Sequence, residues 1–229
     1  VQDVFLGTST TPSSVTYSDF TQGYFGGYLT VAKDSFSGDL QARYGRTDFT
    51  FNNPSLGLQN SGLDSDRFTL SGSGTYTKYL TGAFESVSLR PFAGFALSHT
   101  ESDVLKFAGN LELAPNDFFT AIGFAGMTIA TDIVAESGSE AYQPFITATI
   151  YNDFGEDPDA IFTDMNSGVT QLIESENLGA FAEFSLGFNY VKILDDSKLR
   201  QLTTSFRADY KFGDQVDGFG VTGQVRLQF

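Results

Sequence analysis

Phe219-Gly220-Val221-Thr222-Gly223-Gln224-Val225-Arg226-Leu227-Gln228-Phe229 is the stretch that decides the architecture. Every second residue from Phe219 (Val221, Gly223, Val225, Leu227, Phe229) lacks a polar side chain. The alternate set, Gly220, Thr222, Gln224, Arg226 and Gln228, has no apolar one. A strand sends successive side chains to opposite faces, so this is a strand with one greasy and one wet face. An aromatic at the end of such a strand, with Val225 and Leu227 on the same face, fits the rim of a transmembrane β-barrel.

The same alternation recurs upstream. Strands are expected at about 1–7, 22–32, 36–50, 66–80, 86–101, 117–133, 140–154, 178–193, 199–212 and 219–229, ten in all. In 178–193, Leu178, Ala180, Ala182, Phe184, Leu186, Phe188 and Tyr190 alternate with Glu183, Ser185, Gly187 and Asn189. In 22–32, Tyr24 and Tyr28 oppose Phe25, Leu29 and Val31, so neither face is clearly the greasy one. Pro91 has no amide donor and predicts a bulge in its strand. Residues 117–133 are apolar on both faces, with a parity switch near Gly126 that predicts another.

The connections carry a second signal. Turns at 33–35, 81–85, 134–139 and 194–198 are short. Those at about 8–21, 52–65, 102–116 and 155–177 are long, and only 213–218 breaks the alternation. Outer-membrane barrels pair short periplasmic turns with long outer loops. A soluble sandwich or lipocalin-like barrel also alternates, but it turns its greasy face inward and makes do with shorter strands. Several of the strands here, at roughly 12–15 residues, exceed the roughly 9–11 that cross a bilayer at a tilt.

Composition agrees. The 229 residues suit one all-β domain, with 24 Phe, 10 Tyr and 24 Gly. There is no Cys, which excludes disulfides, thiolate nucleophiles and Cys-bound metals. A formal charge of −15 argues against a nucleic-acid partner, which needs a basic footprint. No apolar run is long enough for a membrane-spanning helix.

The wet faces supply the candidate site. Asp39, Arg43, Arg67, Arg90, Glu183, Arg207, Asp209, Lys211 and Arg226 are expected to face a lumen. There they either line a path or pair with one another across neighbouring strands. Tyr142, Phe154, Tyr190, Phe212 and Phe219 fall near strand ends on the greasy faces and predict an interfacial aromatic girdle. His99, the single histidine, lies near Glu101 and Asp103 at the outer rim, and a lone His among common neighbours is read as a rim residue rather than a catalyst. Glu156, Asp157, Asp159 and Asp164 sit in the long acidic loop and are read as a solvated surface, since the run lacks cation-loop spacing. No catalytic residue, metal site or cofactor is assigned.

Several stretches resemble the translocator (β-barrel) domain of the autotransporter family. They are Leu89-Arg90-Pro91-Phe92-Ala93-Gly94-Phe95, Gln143-Pro144-Phe145-Ile146-Thr147-Ala148-Thr149, Gly179–Tyr190, Arg207–Asp214, and the closing Gly223, Arg226 and Phe229, together covering about 66–229. The resemblance implies a twelve-stranded outer-membrane barrel with an upstream passenger in the same polypeptide. It implies assembly by the β-barrel insertion machinery, with Val225, Leu227 and Phe229 as the C-terminal insertion signal. It also implies contact with outer-membrane lipid and lipopolysaccharide, and an inward acid at Glu183. Ten strands are legible rather than twelve, so a second reading stays open: a stand-alone small outer-membrane channel or surface barrel.

Overall fold

A computed structural model describes residues 4–6, 16–53, 58–194 and 200–228. In chain order the strands are β1 (Val4–Leu6), β2 (Thr16–Lys33), β3 (Phe36–Asn53), β4 (Leu58–Tyr76), β5 (Lys78–Tyr79), β6 (Val87–Ser102), β7 (Leu105–Phe107) and β8 (Leu111–Pro115). They continue as β9 (Phe118–Thr131), β10 (Ile133–Val134), β11 (Glu140–Asp153), β12 (Asp159–Asp164), β13 (Val169–Glu174), β14 (Ala180–Ile193), β15 (Gln201–Gly213) and β16 (Asp217–Gln228). One large sheet runs β1-β2-β3-β4-β6-β9-β11-β14-β15-β16, with β5 appended to β6 and β10 to β11. Every neighbouring pair is antiparallel. The sheet is all-β and curls into a half-barrel. The ten strands of this path are the ten read from the alternation.

Burial is inverted relative to a soluble domain. On β14, Glu183 is 5% and Ser185 1% exposed, whereas Phe184 is 51% and Leu186 61% exposed. The same holds on β11, where Thr149 is buried and Ile146 and Ile150 are exposed. Curling the sheet crowds its polar face and spreads its apolar one. A surface patch of this size is apolar for a reason, and a lipid phase supplies it.

Charges bracket the apolar face. Beyond Tyr44 and Phe68 the same face of β3, β4 and β6 carries Arg46, Asp48, Asp64, Asp66 and Glu101. There Arg46 pairs with Asp64 and, at 3.2 Å, with Asp48, while the Tyr44 hydroxyl donates to Asp66 at 2.7 Å. At the opposite end, Lys192 meets Glu140 at 2.8 Å, next to Tyr142 and Tyr190.

Several expectations are corrected. No bulge occurs at Pro91. The β4–β6 register ends at Thr75 opposite Phe92 and resumes unchanged at Lys78 opposite Leu89, so the strand simply skips the rungs beside the proline. The Thr77 amide donates instead to Ser35 O at 2.7 Å. No bulge occurs at Gly126 either. Both ladders of β9 run through it without a shift, and the apparent parity switch comes from aromatics placed on the polar face. The loop expected at 52–65 is mostly strand, because β3 continues to Asn53 and β4 begins at Leu58. The pairing continues above the apolar belt, where both faces meet water and the alternation vanishes.

The loops expected at 102–116 and 155–177 are also strand. The hairpins β7–β8 and β12–β13 join through β8 and β12 into a separate sheet of order β13-β12-β8-β7. Met165 N–H donates to Asn110 O at 2.9 Å, and the Asn166 side chain donates to Gly109 O at 2.7 Å, fastening one hairpin tip to the other. The 33–35, 81–85 and 134–139 turns lie at one end of the large sheet and this small sheet at the other. The 194–198 turn and much of the 8–21 loop fall outside the described residues, although 16–21 belong to β2.

Candidate functional site: the polar face of the curved sheet

Residues opposite each other in a ladder share a face, so the register can be followed across the sheet. Thr30 opposes Asp39, and Asp39 opposes Ser73; Gly26, Arg43 and Thr69 form another row. Arg67 opposes Thr100, Arg90 opposes Thr128, Thr147 opposes Ser185, and Glu183 opposes Lys211. Arg207 opposes Gly187, Asp209 opposes Ser185, and Arg226 opposes Thr203. All nine charged residues singled out from the sequence therefore lie on one face. Tyr24 and Tyr28 lie on it too, whereas Phe25, Leu29 and Val31 lie on the apolar one.

The nine form no single cluster. Glu183, the buried acid, is held by Arg207, by Lys211 at 3.4 Å, and by the Ser185 hydroxyl at 3.2 Å. Arg207 also pairs with Asp209. A buried carboxylate survives only when paired and hydrogen-bonded, and this one is both. The other charges use neutral neighbours. Arg90 donates to Ser88 at 3.2 Å and to Gln143 at 3.5 Å, and Gln143 also accepts from Asn189 at 3.2 Å. Arg67 donates to Thr100 at 3.1 Å, Asp39 accepts from Ser73 at 2.5 Å, and Arg43 lies 5.4 Å from the Tyr24 ring. Arg226 makes no ion pair among the described residues.

A row of aromatics on this face was not anticipated. Phe92, Phe124, Tyr151 and Phe181 succeed one another across β6, β9, β11 and β14, with ring centroids 6.4, 5.8 and 4.6 Å apart. Glycines make the room. A Cβ on Gly126 would lie 2.5 Å from Phe92 Cζ, and one on Gly187 2.6 Å from Phe145 Cζ. The sequence signal was present in the apolar residues of β9 that fell on the wrong parity.

On the apolar face, Tyr142 and Tyr190 stand directly opposite each other, centroids 4.8 Å apart, at the short-turn end. Phe154, Phe212 and Phe219 stand at the other end. Tyr142 and Phe154 are twelve positions apart, which at a steep tilt spans roughly 28 Å, close to the height of an outer-membrane apolar band. Val225 and Leu227 are exposed on this face, and Phe229 lies outside the described residues.

His99 also lies on the apolar face, its Nε2 3.2 Å from Glu101. No group of three acids, histidines or cysteines able to hold a metal occurs among the described residues. The loop acids anchor structure instead. Glu156 accepts from the Phe119 amide at 3.3 Å, Asp157 from the Asn177 amide at 2.9 Å, and Asp159 from the Asn116 side chain at 2.8 Å. Asp164 accepts from the Ser167 hydroxyl at 2.7 Å and the Asn166 amide at 2.9 Å. These bonds, the hydroxyl first, hold its carboxyl below the ordinary aspartate range.

A family model described as autotransporter beta-domain matches residues 7–192. The chain belongs to the autotransporter beta-domain family. The match begins in the N-terminal part of the chain, well before the 66–229 read from the motifs, and stops at the end of β14. Among curated proteins the chain has no match. Membership supports a general role as a translocator barrel, an outer-membrane setting and a passenger domain in the same chain. Such barrels are not in general catalysts.

Proposed function

We propose that this autotransporter β-domain anchors in the bacterial outer membrane and exports an upstream passenger through a hydrated lumen lined by its polar face. The observation that carries the reading is the inverted burial of β14: Glu183 and Ser185 inside, Phe184 and Leu186 outside. On this reading Asp39, Arg43, Arg67, Arg90, Glu183, Arg207, Asp209, Lys211 and Arg226 face the lumen. Tyr142, Phe154, Tyr190, Phe212 and Phe219 lie at the lipid interfaces, and Val225, Leu227 and Phe229 form the strand end read by the insertion machinery. The lumen does its work by size and hydration: about 12 strands leave room for roughly one helix or extended hairpin. No residue is assigned a catalytic role.

Strand parity supports closure. Nine long strands, β2 to β16, make β2 and β16 parallel, so an antiparallel closure needs an odd number of further strands. β1 already runs antiparallel to β2, and hence in the sense needed to meet β16. This favours, as a second reading, a stand-alone barrel of ten strands; two more give the family's twelve.

Intact mass and N-terminal peptide mapping of the protein from its native outer membrane separate the two. A polypeptide extending hundreds of residues upstream of Val1, or a cleaved passenger derived from it, is the expected result. A mature primary translation product starting within a few residues of Val1 would overturn passenger export and leave the ten-stranded channel, to be tested by conductance.

A further inference from the structure

The small sheet β13-β12-β8-β7 ends on β13, which has no strand on its outer side among the described residues. The β12–β13 register is unbroken over all of Val169–Glu174. Ser175 N–H donates to Pro158 O at 2.9 Å, so the ladder bonds fall on Ile173 and Gln171 by alternation. The N–H and C=O groups of Thr170, Leu172 and Glu174 therefore point away from the sheet. All six residues are exposed, Val169, Leu172 and Ile173 among them. Proteins usually guard such an edge with Lys, Pro or a bulge, and β13 has none of them.

The charge around this edge selects a partner. Residues 155–177 contain Glu156, Asp157, Asp159, Asp164, Glu174 and Glu176 and no Lys or Arg. Glu174 stands directly opposite Asp159, two like charges across a ladder, and neither has a cation among the described residues. A second copy of this edge would double the repulsion, whereas a strand carrying Lys or Arg would relieve it.

We propose that β13 is a strand-addition site for an extended, basic segment of a separate partner protein. Main-chain bonds to Thr170, Leu172 and Glu174 supply the affinity, Val169 and Ile173 pack on one face against apolar side chains of the incoming strand, and on the other face its basic residues meet Glu174, beside Asp159. The inference rests on the outer loops being accessible, not on passenger export.

The test uses the full chain folded in detergent and a labelled peptide of alternating Val and Lys, read by fluorescence anisotropy. The peptide is expected to bind saturably. Methylating its amides on alternate residues, on the edge that faces β13, is expected to weaken binding by roughly tenfold or more. A Val/Glu peptide is expected not to bind. Leu172→Pro removes an outward amide without touching the β12 ladder and is expected to match the effect of methylation, with folding checked by heat-modifiable gel mobility. Equal binding of the methylated peptide would show attraction by charge alone and overturn the proposal, as would absence of binding by the Val/Lys peptide. Because the methylated peptide is tested against the wild-type chain, the result stands even if the proline variant does not fold.

Discussion

Glu183 shows how one residue ties two strands, β14 and β15, together. Its carboxylate is buried, while its partners Arg207 and Lys211 are about half exposed. The two sides of the pair are therefore unequal. Arg207→Ala leaves a buried carboxylate with only Lys211 and is expected to cost about 3–5 kcal/mol. Glu183→Gln leaves two cations that water reaches, and is expected to cost only about 1–2 kcal/mol. Urea unfolding in detergent or lipid compares them, and an equal or reversed ranking would contradict the burial of Glu183. Gly126 makes a second case. Gly126→Ala must push against Phe92 Cζ and Ala148 O, both 2.5 Å from the added carbon, and is expected to destabilise by about 1–3 kcal/mol. Both positions were legible in part. Glu183 stood out as an acid inside a strict alternation. Gly126 was read as a bulge, because alternation reports which face is apolar and does not foresee a polar face that stacks aromatics over glycine.

At the scale of elements, the long strands were readable because two solvents meet at them. Where one face has lipid and the other water, as on β14 and β16, alternation is strong. Above the belt, Asp48 and Asp64 sit on the continuing face and the same ladder carries no pattern, so the part of β4 before residue 66 read as loop. The hairpins β7–β8 and β12–β13 were hidden for another reason: each is short and depends on the other loop for its pairing, which no local pattern reports. The β12–β13 turn is open to a direct test. Asp164 is depressed below its ordinary value of 3.8, chiefly by the Ser167 hydroxyl. A depressed carboxylate contributes stability above its unfolded-state value and loses it as pH falls through the folded one. The turn is thus expected to be fastened at neutral pH and to loosen only below about pH 4. Ser167→Ala is expected to raise the Asp164 pKa toward 3.8, measured by NMR titration in micelles; an unmoved pKa would contradict the assigned cause.

For the whole molecule, the strand count, the short turns at one end and the apolar belt bracketed by Arg46–Asp64 and Glu140–Lys192 are all explained by the proposed arrangement, a curved sheet with lipid outside and water inside. The sequence carried that arrangement in its period of two, and left undecided how β2 and β16 come together. The central claim concerns the two faces, and the absence of cysteine makes it directly measurable. Ile146 and Thr147 are neighbours on β11, in the middle of the sheet, on opposite faces. Single variants Ile146→Cys and Thr147→Cys, spin-labelled and reconstituted in bilayers, report collision with dissolved oxygen and with a water-soluble nickel chelate. The predicted result is an oxygen-accessible, nickel-shielded label at 146 and the reverse at 147. Nickel access at 146, or lipid-like behaviour at 147, would contradict it.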